Sequence, residues 1–232
     1  MQVSLVTGGN SGIGYEVVRQ LANEGMIVYL GSRNPAKGSA AAAELSSEGD
    51  IRPIYLDLTD EATLRSAVDQ IEREQGRLDL IVNNAGIAPY DLTPEAINAV
   101  FQTNVHGPVL LTQLCVPLLR KSAAGRVVNV SSAAGQFSFL ASDRLKMDPE
   151  KLYYAYPVSK TALNAATVLL ANALERDGIK VNACCPGMVA TKVSRMQGKS
   201  PAEGAAIVVS TARLSVYGPT GSFFDQTGAI SW

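Results

Sequence analysis

One histidine, His106, stands in 232 residues beside only three cysteines. That excludes a multi-histidine zinc site and any relay of imidazoles, so acid–base chemistry has to use other side chains. Cys115, Cys184 and Cys185 are too few for a disulfide framework, and the expectation is reduced, buried thiols. An excess of one charge is also missing. With 20 Lys plus Arg against 21 Asp plus Glu, no basic stripe is offered to nucleic acid or to an anionic membrane. The most apolar run, residues 109–119, is broken by Thr112, Gln113 and Pro117 and falls short of the roughly 18 residues of a bilayer span. No basic and apolar leader precedes the strand-like residues 2–7, which predicts a cytoplasmic protein.

Hydrophobic residues make up 47% of the chain, enough for one domain with a sizeable core. Short β-branched runs at 3–6, 27–30, 51–56, 78–82, 127–130 and 180–184 alternate with segments of helical period. Several of these runs are apolar without alternation, as parallel strands covered on both faces require. The pattern predicts an α/β fold, a doubly wound parallel sheet of about seven strands, closed by a short strand near 222–224 after a helix around 201–214. No linker divides the chain, so residues 1–232 read as one domain of doubly wound, Rossmann type.

In such a sheet the ligand belongs above the carboxyl ends of the strands, where the strand order reverses. The unusual residues follow that rule. A glycine-rich turn, Thr7-Gly8-Gly9-Asn10-Ser11-Gly12-Ile13-Gly14, follows the first run and opens a helix, so its backbone can approach a pyrophosphate at the helix amino end. After the second run comes Gly31-Ser32-Arg33-Asn34, with no carboxylate to take a ribose 2′-hydroxyl. Arg33 instead offers a fork of donors to a 2′-phosphate, which favours NADPH over NADH.

The spacing Gly8, Gly12, Gly14 resembles the Thr-Gly-x-x-x-Gly-x-Gly turn of the short-chain dehydrogenase/reductase family. Asn83-Asn84-Ala85-Gly86 and Tyr156-Pro157-Val158-Ser159-Lys160 complete that family's signature in order, over nearly the whole chain. The resemblance implies that NADP(H) is held by Gly8, Asn10, Ser11, Gly12, Ile13 and Gly14, by Asp57 and Leu58 near the adenine, and by Asn83, Ala85 and Gly86. It adds Tyr156 and Lys160, together with Pro186, Gly187, Val189 and Thr191 of the loop that closes over the nicotinamide. It further implies Asn104, Ser132, Tyr156 and Lys160 as the catalytic group, with Asn104 holding a water linked to the lysine. Ser131 remains an alternative to Ser132, because periodicity does not separate neighbours.

Tyr156 and Lys160 lie four apart, so on a helix an ammonium stands near a phenol. A free phenol titrates near 10, and bringing it to about 7 takes roughly 4 kcal/mol. Lys160 and an oxidised nicotinamide are expected to supply that. Pro157 fits only the first turn of a helix, which is therefore expected to start near 154–156, run to about Arg176 and close at Gly178.

Residues 136–153, before the tyrosine, read as an insertion rich in apolar side chains: Phe137, Phe139, Leu140, Leu145, Met147 and Tyr153. They either line the pocket or cap the surface. This insertion, with a short lid before Pro201, resembles the carbonyl reductase branch, and implies a monomer or homodimer rather than a tetramer. The expected activity is NADPH-dependent reduction of aldehydes and ketones, reversible as alcohol oxidation. A dehydrogenase for a steroid, polyol or acyl-thioester is the alternative, with Arg144, Lys146, Lys192, Arg195 and Lys199 as anchors for a thioester's phosphates. A noncatalytic NADP(H) sensor is the rival from another class.

Overall fold

The first strand, β1 (Val3–Thr7), is buried throughout, and so is β2 (Ile27–Ser32), because helices cover both faces of the sheet. Successive residues serve opposite faces. Leu5, Tyr29, Ile81, Val127 and Val181 pack into one core, and Val6, Val28, Leu30, Val82 and Val128 into the other. An unbroken apolar run is thus two half-cores read in alternation. These arrangements are seen in a computed structural model that describes residues 1–142 and 152–232.

The sheet is completed by β3 (Ile51–Tyr55), β4 (Leu80–Asn83), β5 (Arg126–Val130), β6 (Lys180–Cys184), β7 (Phe223–Asp225) and β8 (Gly228–Ile230), in the order β3-β2-β1-β4-β5-β6-β7-β8. Seven strands are parallel, as the sequence pattern predicts. The eighth is antiparallel to β7 and was not expected, since three residues beginning with glycine carry no periodic signal. Its turn is held by the Asp225 carboxylate, which accepts from Thr227 N and Oγ1 at 2.7 and 2.6 Å. At the opposite edge Pro53 sits in β3, where a missing ladder donor is tolerated. The order reverses at β1, with β2 and β3 to one side and β4 onward to the other, which opens a crevice above the strand ends.

Helices α1 (Gly12–Asn23) and α2 (Pro35–Glu44) cover one face together with α8 (Pro201–Ala212), through Val17, Val18, Leu21, Ala41, Val208 and Val209. The other face is covered by α3 (Glu61–Gln75), α5 (Gly107–Leu119) and α7 (Ala155–Leu174), through Leu64, Ile71, Leu111, Leu118 and Leu174. Two shorter helices, α4 (Pro94–Phe101) and α6 (Phe137–Leu140), lie in the connections after β4 and β5. From α4 the chain passes through a π turn, Gln102–His106, into α5.

Tyr156 and Pro157 occupy the first turn of α7, where the absent amide donor has no intrahelical partner to lose. The helix ends through a 3-10 turn, Glu175–Asp177, at Gly178 with φ 69°, so its limits follow the sequence. All three cysteines are buried and free. None of the described helices is long and apolar enough to cross a membrane. Of the expected insertion, residues 136–142 and 152–153 are described, while Leu145 and Met147, like Arg144 and Lys146, lie outside the described residues.

Candidate active site

At the end of β1 the chain turns into α1 on Ser11, whose backbone is extended and whose hydroxyl caps no helix amide. Side chains of Asn34, Asp60, Thr93 and Ser200 do cap α2, α3, α4 and α8. The leading amides of α1 therefore face the crevice without a side-chain partner, and no acidic residue in the first turn competes for them. Gly8 and Gly12 have φ of 65° and 59°, a left-handed backbone that side chains disfavour.

Gly14 is required for a different reason: a Cβ there would lie 2.4 Å from both Asn84 Nδ2 and the Gly8 carbonyl. The helix can approach the strand ends only because that atom is missing. Thr7 and Asn84 then bind the ends of β1 and β4 together. Asn84 Nδ2 donates to Thr7 O at 2.9 Å, and Thr7 Oγ1 accepts from the amides of Asn84 and Ala85 at 3.0 Å each. Gly14→Ala should therefore destabilise the fold by about 1–3 kcal/mol, read from urea unfolding, through overpacking at this junction. An unchanged midpoint would contradict the close approach.

The second side of the crevice is the loop after β6. A Cβ on Gly12 would stand 3.2 Å from Thr191 Cγ2, so Thr191 faces the glycine turn. Gly187 has φ 75°, and Val189 is buried against Gly204 and near Ile13. The base of the loop is tied by Lys199 N donating to Met188 O and Ala190 N donating to Lys199 O, and Ser194 Oγ donates to Val189 O at 2.5 Å.

Not every residue predicted at the cofactor faces the crevice. The Asn83 side chain is 2% exposed and its Nδ2 donates inward to Asn129 Oδ1 (2.8 Å) and Thr112 Oγ1 (3.2 Å). Asn129 Nδ2 in turn donates to Thr167 Oγ1 at 2.9 Å. Leu58 is likewise buried, packed where α5 begins: a Cβ on Gly107 would sit 2.4 Å from the Leu58 carbonyl. For both, the side chain follows the core rather than the crevice. Asp57 Oδ1 accepts from Thr59 N and Oγ1 in a local turn, at 2.9 and 2.8 Å. Arg33 is exposed at the end of β2 and makes no ion pair among the described residues.

The reacting groups gather where β5 ends against the first turn of α7. Ser131 and Ser132 now separate. Ser131 Oγ donates to Asn164 Oδ1 at 2.5 Å and is 3% exposed, whereas Ser132 Oγ accepts from the Ala134 amide at 3.1 Å and lies beside the Tyr156 phenol, whose pKa it acts to lower. Lys160 is buried one turn along, its Nζ donating to Val130 O at 2.7 Å and lying 5.7 Å from the centre of the Tyr156 ring. Gly86 closes this corner, since a Cβ on it would be 3.7 Å from Lys160 Nζ and 3.4 Å from Asn104 Oδ1.

Asn104, in the π turn, uses its side chain to hold protein. Its Oδ1 accepts from Ile87 N (2.9 Å), and its Nδ2 donates to Ile87 O (2.9 Å) and Ser159 Oγ (3.0 Å). It thereby fixes the loop after β4 against α7.

Burial dominates the electrostatics of the protein's own groups here. Burial pushes the Tyr156 phenol above its ordinary 10, the Ser132 hydrogen bond pulls it back only in part, and Cys185 adds to the rise. Burial also pulls the Lys160 ammonium down to about 8. Removing both groups from water favours their neutral forms. The site as it stands holds a protonated phenol.

An eight-stranded sheet with this switch point, an open helix amino end and a Ser–Tyr–Lys cluster at the strand ends defines a dinucleotide-dependent oxidoreductase class. The sequence profile described as short chain dehydrogenase matches residues 2–202, and the chain belongs to that family. Among its relatives is salutaridine reductase of Papaver somniferum, 31% identical over 96% of this chain and 93% of that protein. Another is the (+)-neomenthol dehydrogenase of Capsicum annuum, 30% identical over 95% and 94%. An NADPH-bound carbonyl reductase from chicken fatty liver superposes with a TM-score of 0.86 at 25% identity, covering both chains in full.

Sequence reasoning missed four residues that shape this site. Thr7, Asn84 and Ser159, whose Oγ donates to Tyr156 O at 2.7 Å, stand inside the family motifs, and their hydrogen-bonding side chains were the available signal. Tyr90 gave none, because its role depends on contact with a distant segment.

Proposed function

We propose that the protein reduces aldehydes and ketones to alcohols with NADPH, and runs the reverse oxidation when alcohol and NADP+ are supplied. The observation that carries this reading is the half-buried Tyr156 phenol, kept protonated by its surroundings, with Ser132 against it. A protonated phenol at neutral pH is a proton donor, which suits reduction. Oxidation needs the phenolate, and hence the added positive charge of an oxidised nicotinamide.

The crevice fits a nicotinamide dinucleotide. Gly8 and Gly12 give the turn its left-handed backbone, and the uncapped amides of α1 suit a pyrophosphate. Gly8, Asn10, Ser11, Gly12, Ile13 and Gly14 would hold that end, and Gly86, Pro186, Gly187 and Thr191 the nicotinamide end. When bound, the reduced nicotinamide supplies the hydride equivalent. The chain's own part is to orient and protonate. Ser132 Oγ and Tyr156 Oη direct two donors at one carbonyl oxygen, and Tyr156 gives up its proton as charge develops there. Lys160, charged below about pH 8, stabilises the resulting phenolate. Asn104 and Ser159 position these groups.

Exposed Arg33 supports NADPH, because its guanidinium is free of protein partners among the described residues and can pair with a 2′-phosphate. Arg33→Asp should reverse the cofactor preference, with the ratio of NADPH to NADH dissociation constants shifting by about tenfold or more. An unshifted ratio would leave the phosphate without this anchor. The alternative of an acyl-thioester substrate loses two of its anchors: Lys199 Nζ donates to Gln226 Oε1 at 2.7 Å, and Arg195 is stacked on Tyr90.

Incubation of the protein with NADPH and a panel of aldehydes and ketones tests the reading. Loss of reduced cofactor with matching alcohol is expected. Tight NADPH binding without turnover across the panel would favour a nucleotide sensor instead.

A further inference from the structure

Six of the large apolar side chains left at the surface lie on three neighbouring connections. Tyr90 and Leu92 follow β4, Phe137 and Leu152 lie between β5 and α7, and Met188 and Met196 follow β6; all six are exposed. Their three connections leave the carboxyl ends of adjacent strands, the edge on which the reacting groups stand. An apolar surface gathered in this way marks a binding mouth.

Within that mouth the rings are ordered. Tyr90 stacks on Tyr153 with centroids 4.7 Å apart and planes at 24°, and Tyr153 lies against Tyr156 at 6.0 Å and 22°. Arg195 caps the outer end, its guanidinium carbon 4.6 Å from the centre of the Tyr90 ring. The backbone is bent to deliver that cap, for Arg195 and Met196 are the described non-glycine residues with positive φ, 53° and 63°. A stack made for packing alone would be closed to solvent, yet Tyr90 keeps 59% of its surface exposed.

We propose that Tyr90 and Tyr153, backed by Arg195, are specificity-determining residues that select flat, conjugated carbonyl compounds, aryl ketones and cyclic enones, over saturated ketones of the same size. The proposal rests on the carbonyl-reductase reading and adds the substrate class to it. A ketone whose oxygen lies at Tyr156 Oη has its remaining bulk beside this stack. With Tyr153 on one face of Tyr90 and Arg195 on the other, the stack presents ring edges, and an aromatic edge favours the face of a flat conjugated ring, which a puckered saturated ring does not offer.

The test compares acetophenone with cyclohexyl methyl ketone on the NADP+ complex, by calorimetric affinity, and on the NADPH-loaded enzyme, by KM and kcat. Wild type should favour acetophenone by about fivefold or more in affinity, the size of a stacked aromatic pair, with the preference carried by KM. Tyr90→Leu should bring the ratio towards one, and Tyr90→Phe should keep it. Equal affinities in wild type, or a preference that survives Tyr90→Leu, would overturn the proposal. A binding preference lost in Tyr90→Leu but without turnover of either ketone would uphold the clamp and count against the reductase reading.

Discussion

Tyr156→Phe should lower carbonyl reduction by about a hundred- to ten-thousand-fold, the range lost when a general acid is removed. The substitution deletes one oxygen. It keeps the ring that lies 6.0 Å from Tyr153, and Ser132 still has the Ala134 amide donating to its Oγ at 3.1 Å. KM for the ketone and the dissociation constant for NADPH should therefore move little, while kcat falls. A single-turnover measurement at saturating cofactor and ketone separates these quantities. If kcat were unchanged, the proton would have to come from elsewhere; if only KM rose, the phenol would be a binding group.

Lys160→Met should lower activity and raise stability at neutral pH. The amine is 4% exposed, and burial brings it from 10.5 to about 8. That fall corresponds to about 3 kcal/mol of discrimination against the ammonium at pH 7. Methionine removes the penalty but leaves the Val130 carbonyl without the donor now 2.7 Å away, a loss of about 1 kcal/mol. A net gain of about 1–2 kcal/mol follows, visible as a higher Tm.

The pH dependence of that gain has a definite sign. Between about pH 8 and 10.5 the unfolded chain binds a proton at Lys160 that the folded chain has released, so wild-type stability rises with pH across that window. The advantage of the variant should be full below pH 8 and shrink as the pH approaches 10.5. Thermal melts of both proteins at pH 7 and pH 10 read the difference directly. A variant less stable than wild type at pH 7 would mean that the Lys160 hydrogen bond outweighs its desolvation. Reduction by wild type should also weaken as the pH rises through about 8, when the lysine loses the charge that steadies a phenolate.

Why so much of this site is legible in the sequence, and where legibility stops, follows from the range of the interactions. The strands of a doubly covered sheet are written as continuous apolar runs, and the glycine turn shows within the eight consecutive residues Thr7 to Gly14. Pro157 fixes the start of α7 because only its first turn tolerates it. That Ser131 turns to Asn164 while Ser132 lies beside Tyr156 shows only once β5 and α7 are placed, since Asn164 stands in the middle of that helix. The inward turn of Asn83 depends on Thr112 and Asn129. Burial, which raises the phenol in the protein alone, is a second influence that the sequence does not display, whereas the nearby ammonium is visible in the spacing of Tyr156 and Lys160. The ring stack joins Tyr90, Tyr153 and Arg195 from three separate connections, and no local pattern links them.

The protonation of Tyr156 itself is the most direct test. The chain has eight tyrosines, so the phenolate absorbance of wild type minus that of Tyr156→Phe isolates the one in question. In the free protein this difference should stay flat through neutral pH and appear only above pH 10, and saturating NADP+ should move it to lower pH. A phenolate already formed below pH 7 in the free protein would contradict the account.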